Sequence, residues 1–143
     1  MTKLLSDIIF NVGRLKGYNI LAYQIMPDYI HLLVYVDRTL ERVLSKDIQQ
    51  FVPSNKSTFS NVRPANQYTI SNLIQSIKGN FSRKLHMGNI WQRRFYTRII
   101  DTGKYLRAVT SYIKYNPIKQ DLPRKYHELP YQYFNNKEIE NLF

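Results

Sequence analysis

The stretch YNILAYQIMPDYIHLLVYV, residues 18–36, holds two β-rich runs, 18–26 and 29–36, separated by Pro27-Asp28. Proline presets the backbone of a turn and Asp hydrogen-bonds locally, so the segment reads as a β-hairpin. Side chains alternate across a strand, which puts Ile30, Leu32, Val34 and Val36 on one face of the second run. Tyr29, His31, Leu33 and Tyr35 take the other. The first set is the expected core face against helices. The second, with one imidazole and two phenols, is the candidate working face.

Working outward, Leu4, Leu5, Ile8, Ile9, Val12 and Leu15 recur at helical spacing, which predicts an amphipathic helix over 3–16 ended by Gly17. Residues 39–51 read as a second helix. Residues 52–68 are polar, contain two prolines and show no period, the pattern of a functional loop or a disordered stretch. Ser71 can cap a helix running to about Leu85, with Leu73, Ile74, Ile77, Phe81 and Leu85 as its buried stripe. Met87-Gly88-Asn89 breaks that pattern, and IWQRRFYTRII, residues 90–100, reads as a strand with Trp91, Phe95 and Ile99 on one face. Asp101 or Thr102 then caps a helix through about Asn116, with Leu106, Val109 and Ile113 inward and Pro117 as its stop. The tail, 118–143, is basic, then aromatic, then acidic, and is expected to pack loosely over the sheet. A hairpin with helices and no regular βαβ alternation indicates an α+β fold. That is an antiparallel sheet with helices mainly on one face, in a single domain of residues 1–143.

The chain carries 21 Lys+Arg against 10 Asp+Glu, a net charge of +11, which points to a polyanionic partner, most often nucleic acid. A hydrophobic share of 43% and an aromatic share of 14% exclude intrinsic disorder of the whole chain. No apolar run approaches the ~18 residues of a membrane span, and the N-terminus lacks the apolar core of a signal peptide. The expectation is a cytoplasmic protein with no membrane partner. With no cysteine, disulfide scaffolds, thiolate zinc sites and Cys nucleophiles are all excluded. Twelve tyrosines in a basic chain suit stacking on bases, and equally suit ordinary strand packing.

Three local features carry potential chemistry. Lys78, Arg83, Lys84, Arg93, Arg94, Arg98, Lys104 and Arg107 stand in one window against only Asp101, which reads as a phosphate track for DNA binding rather than a merely solvated helix and strand surface. His31 sits mid-strand among apolar residues, where a histidine is more commonly structural than a ligand. Tyr112 and Asn116 lie four apart on one helix face. A tyrosine hydroxyl can be a nucleophile toward phosphorus, and an amide oxygen can face a hard cation. Taken alone, that pair is unremarkable near a helix end.

MPDYIHLL (Met26–Leu33), IWQRRFYTRII (Ile90–Ile100) and YIKYNPIK (Tyr112–Lys119), in that order, resemble the REP-associated tyrosine transposases. These are single-tyrosine HUH transposases of small insertion sequences. The resemblance spans roughly residues 3–135, with a poor match at about 38–68. It implies a ferredoxin-like or RRM-like palm that binds single-stranded or hairpin DNA and cleaves and rejoins it in DNA transposition, a recombination carried out by mobile elements. By that resemblance Tyr112 matches the nucleophile that leaves a 5′-phosphotyrosine. His31 matches the second histidine of the HUH pair, and Asn116 the helix ligand of a divalent metal, Mg²⁺ or Mn²⁺. The alternative is a catalytically inactive, single-stranded nucleic-acid-binding remnant, as a monomer or homodimer.

Two departures shape these expectations. Tyr29 stands where the motif has its first histidine, and a phenol with a pKa near ~10 is a poor ligand, so the metal should be weakly bound or lost. Asp28 cannot replace it, because one step along a strand points to the opposite face. The first helix also begins by residue 3, where the family places a strand before it. Either the chain is shortened at its N-terminus or the reading frame begins late, and residues 38–68 are an insertion or supply a replacement strand. A missing inner strand would leave a hydrogen-bonding edge open to pairing.

Overall fold

A computed structural model of the chain describes residues 1–36 and 69–143. The expected helix at 39–51, the polar stretch 52–68 and the insertion at 38–68 lie outside the described residues. The elements, numbered within them, are α1 (Thr2–Leu15), β1 (Asn19–Ile25), β2 (Ile30–Tyr35), α2 (Ile70–Lys84), α3 (Gly103–Lys119), a 3₁₀ turn (Arg124–His127), β3 (Gln132–Phe134) and α4 (Asn136–Asn141).

The hairpin forms as its sequence dictates. β1 and β2 pair antiparallel, and the Met26 N–H donates to the Tyr29 carbonyl across Pro27-Asp28 at 2.8 Å. α1 ends where glycine permits it. Gly17 takes φ 74°, the Tyr18 N–H returns to the Gly13 carbonyl and the Gly17 N–H to Arg14, which satisfies the last helical carbonyls. The register shifts between Ile20 and Ala22, a bulge that places Leu21 and Ala22 in one core and Ile20 and Tyr23 in the other.

The sheet therefore has two apolar faces. Leu5, Ile8, Ile9 and Val12 of α1 and Leu73, Ile77 and Phe81 of α2 build the larger core, on the side of Ile30, Leu32, Val34 and Val36. The expected core face of β2 thus packs on α1 and α2. A smaller core joins Leu21, Ala22 and Leu33 to Leu106 and Ile113 of α3, with Ile139 and Leu142 beside it. The working face is roofed by α3 at one end and left accessible at the other.

Four expectations change. Thr69, not Ser71, caps α2, because its extended backbone lets the hydroxyl accept from the Asn72 N–H at 3.3 Å. Residues 90–100 form no strand: β-prone residues make one only beside a partner edge, and the described sheet is β2-β1-β3. α3, capped by the Thr102 hydroxyl, runs through Pro117 to Lys119. Only one N–H bond is lost there, the ring is fully buried, and the Gln120 N–H still reaches the Asn116 carbonyl. The tail, expected to pack loosely, supplies β3. It pairs Ala22 with Phe134, Tyr23 with Tyr133 and Gln24 with Gln132, because β1 offers it a free edge of hydrogen-bonding groups.

Candidate active site

Tyr29 and His31 come from the hairpin, one at the turn and one in β2, while Tyr112 and Asn116 come from successive turns of α3. The packing of Leu33 against Leu106 and Ile113 lays that helix over the hairpin. Asn116 is only 4% exposed, and its Nδ2 lies 2.7 Å from His31 Nε2 and 3.0 Å from Tyr29 Oη, donating to the latter. The rings of Tyr29 and His31 meet edge-on with centroids 5.1 Å apart, and those of His31 and Tyr112 at 5.5 Å. Burial pushes the His31 pKa below its ordinary value, so the ring is held neutral. The Tyr112 side chain is 51% exposed, open to a substrate on one side and backed by the imidazole on the other.

Sequence reasoning missed three residues here. Gln120 Nε2 donates to Tyr29 Oη, and the Lys119 ammonium stands over the Tyr112 ring at 5.4 Å from its centroid. Both positions depend on α3 continuing beyond Pro117, the feature the proline signal hid. Gln24, opposite His31 in the ladder and fully buried, accepts from Gln132 Nε2 at 2.6 Å and donates to the Tyr126 carbonyl at 2.9 Å. Gln132 also reaches the Lys114 carbonyl of α3, so the tail ties the sheet to the helix that carries Tyr112. A glutamine inside an otherwise apolar strand was the available signal.

The eight cations of the basic window do not form one continuous row. Lys78, Arg83 and Arg93 line an open groove of about 640 Å³ with His86, Trp91 and Phe95, on the α2 side of the sheet. Trp91 packs on Phe81 and donates to the Lys78 carbonyl, while Lys78 Nζ donates to the Gln92 carbonyl at 2.7 Å, which straps the WQRRFY segment to α2. Lys84 ends α2, and Arg94 and Arg98 flank Tyr96, which is 98% exposed. Lys104 and Arg107 lie on the first turns of α3, the helix of Tyr112.

A divalent cation of the Mg²⁺ or Mn²⁺ type requires hard donors, usually with at least one carboxylate. The cluster offers one imidazole, the phenols of Tyr29 and Tyr112, the carboxamides of Asn116 and Gln120 and no carboxylate, and no group of three His, Cys, Asp or Glu side chains able to hold a metal exists among the described residues. The acceptor atoms of Tyr29 and His31 already face amide hydrogens of Asn116 and Gln120. This donor set does not fit a divalent ion.

No protein-family model matches the chain. A Haemophilus influenzae protein, provisionally named a REP-associated tyrosine transposase, is 29% identical over 132 residues, covering 82% of this chain and 60% of that protein. The fold matches a solved REP-associated tyrosine transposase bound to a REP hairpin, with a TM-score of 0.62 and 21% identity over 99% of this chain and 69% of that one. The likeness is to the REP-associated tyrosine transposases. With that transposase the present chain shares its fold; with the curated relative it shares about 60% of the relative's length. No helix among the described residues is long and apolar enough to cross a membrane.

Proposed function

We propose that this chain is a transposase-like protein that binds hairpin DNA and presents Tyr112 to a phosphate of its single-stranded flank, cleaving and rejoining the strand. The observation that carries the reading is the convergence of Tyr112, His31 and Asn116 on one end of a fold shared with a hairpin-bound transposase. In the reaction the Tyr112 phenol oxygen attacks phosphorus with loss of its proton to solvent, and the bond to the 3′ oxygen breaks, that oxygen leaving as a 3′ hydroxyl after taking up a proton. The phosphoester is conserved in the tyrosine link, so a returning 3′ hydroxyl rejoins the strand without a nucleotide cofactor. His31 and Asn116 hold the Tyr112 end of α3 against the hairpin. The cations at Arg93, Arg94, Arg98, Lys104 and Arg107 neutralise phosphates, and the exposed ring of Tyr96 offers a base a stacking partner.

A second reading, DNA binding without cleavage, is favoured by Tyr29, whose oxygen is taken up by two amide donors where the motif has a histidine. The two separate on a denaturing gel after incubation with a labelled hairpin oligonucleotide bearing a single-stranded flank, with and without Mn²⁺. A covalent adduct that disappears in Tyr112→Phe supports cleavage. Salt-sensitive binding with no adduct supports the second reading, and no binding at all overturns both.

A further inference from the structure

The amide cluster at the end of α3 is built from donors, where a metal centre is built from acceptors. Asn116 and Gln120 both direct N–H groups at Tyr29 Oη, and Asn116 also meets His31 Nε2. The Tyr29 oxygen and the His31 Nε2, the two atoms that the hairpin could turn toward a cation, face amide hydrogens instead. Asn116 is buried and its Nδ2 meets both hairpin residues, so freeing the Tyr29 and His31 lone pairs means breaking hydrogen bonds in a part-buried site. A cation does stand here, and it belongs to the chain. Lys119 lies against the outer face of Tyr112, and Tyr112 in turn lies against His31. The extra helical turn beyond Pro117 is what brings Lys119 and Gln120 to the cluster.

We propose that this centre takes no divalent ion: the amide network among Tyr29, His31, Asn116 and Gln120 closes the place for one, and Lys119 supplies the fixed positive charge that meets a DNA phosphate beside Tyr112. A lysine ammonium is a compact point charge with three donors, suited to a phosphate oxygen. The inference about Lys119 rests on the DNA-binding reading above; the inference about the ion does not.

Two measurements on the full chain decide it. In the first, Mn²⁺ is titrated into the protein alone and followed by electron paramagnetic resonance. The expected result is no saturable binding by the native chain. Saturable binding that Mg²⁺ displaces and His31→Ala removes overturns the closed-site inference. In the second, affinity for a hairpin oligonucleotide with a single-stranded flank is measured against salt, in EDTA and in Mn²⁺ at matched ionic strength. Affinity should be the same in both, and Lys119→Ala should lower the slope of log K against log salt by about one, restored by Lys119→Arg. An unchanged slope overturns the role of Lys119, and affinity that collapses in EDTA overturns the metal-free centre. If no oligonucleotide binds under any condition, the proposed function and the role of Lys119 fall together, while the Mn²⁺ titration still decides the rest.

Discussion

Asn116 Nδ2 lies 2.7 Å from His31 Nε2, a contact between residues 85 apart in the chain. With an amide hydrogen directed at Nε2, the ring accepts there and carries its own hydrogen on Nδ1. The same amide reaches Tyr29, so one buried side chain fixes the two hairpin residues against α3. Asn116→Leu removes the donor, and the cost expected from stranding those acceptors is about 1–3 kcal/mol. Urea unfolding of the variant and the native chain measures it.

The neutral state of His31 makes stability depend on pH. Burial lowers its pKa from the ordinary 6.5, so the unfolded chain binds the proton more readily than the folded one. The contribution is fully present above the unfolded pKa and is lost as pH falls toward and through the folded value. Stability should therefore decline below about pH 6.5, and His31→Gln should flatten that part of the profile. Denaturation midpoints taken from neutral to mildly acid pH provide the check; an unchanged slope in the variant counts against the assignment.

Tyr112 contributes little to the fold, since its side chain is half exposed and its neighbours are a ring edge and a lysine. Tyr112→Phe keeps the ring and should change stability by less than about 0.5 kcal/mol. Its covalent adduct with DNA should nevertheless be absent, while hairpin affinity stays close to native. Thermal unfolding and a binding titration on the same preparation separate the two effects.

Gln24 is the joint between tail and sheet. Its amide binds Gln132 of β3 and the Tyr126 carbonyl at once, and Gln132 continues to Lys114 of α3. Gln24→Leu strands these partners in a part-buried place, with an expected loss of about 1–3 kcal/mol. Hydrogen exchange should speed up at 132–134 before it does at 30–35, because β3 has three paired residues and β2 has six.

Arg93 and Arg94 are exposed on the segment strapped to α2 by Trp91. If each contacts a phosphate, Arg93→Ala and Arg94→Ala should each lower the salt slope of hairpin binding by about one. Folding should be unaffected, because neither side chain packs in a core. Trp91→Ala is the contrasting variant: it should release the whole segment and weaken binding by more than either arginine change.

The hairpin, α1 with its glycine stop, and the apolar stripe of α2 were all legible in the sequence, because turn chemistry and hydrophobic period act over a few neighbouring residues. Tyr29, His31, Tyr112 and Asn116 could be picked out as words of motifs, and the basic window as a run of charge. Besides the displaced cap of α2, short-range rules misjudged three larger features, and for one reason. The segment around Trp91 is β-prone but meets no partner edge, Pro117 loses one hydrogen bond that burial of its ring offsets, and the tail becomes a strand because β1 has an edge to offer. Each outcome depends on what stands across from the residue, which no local pattern records. The sequence by itself determined which side chains exist and which face of each element they share. Only the tertiary structure decided that Asn116 and Gln120 would turn their hydrogens on Tyr29, and that Lys119 would stand beside Tyr112, since hydrogen bonds form between groups that packing has first brought within reach.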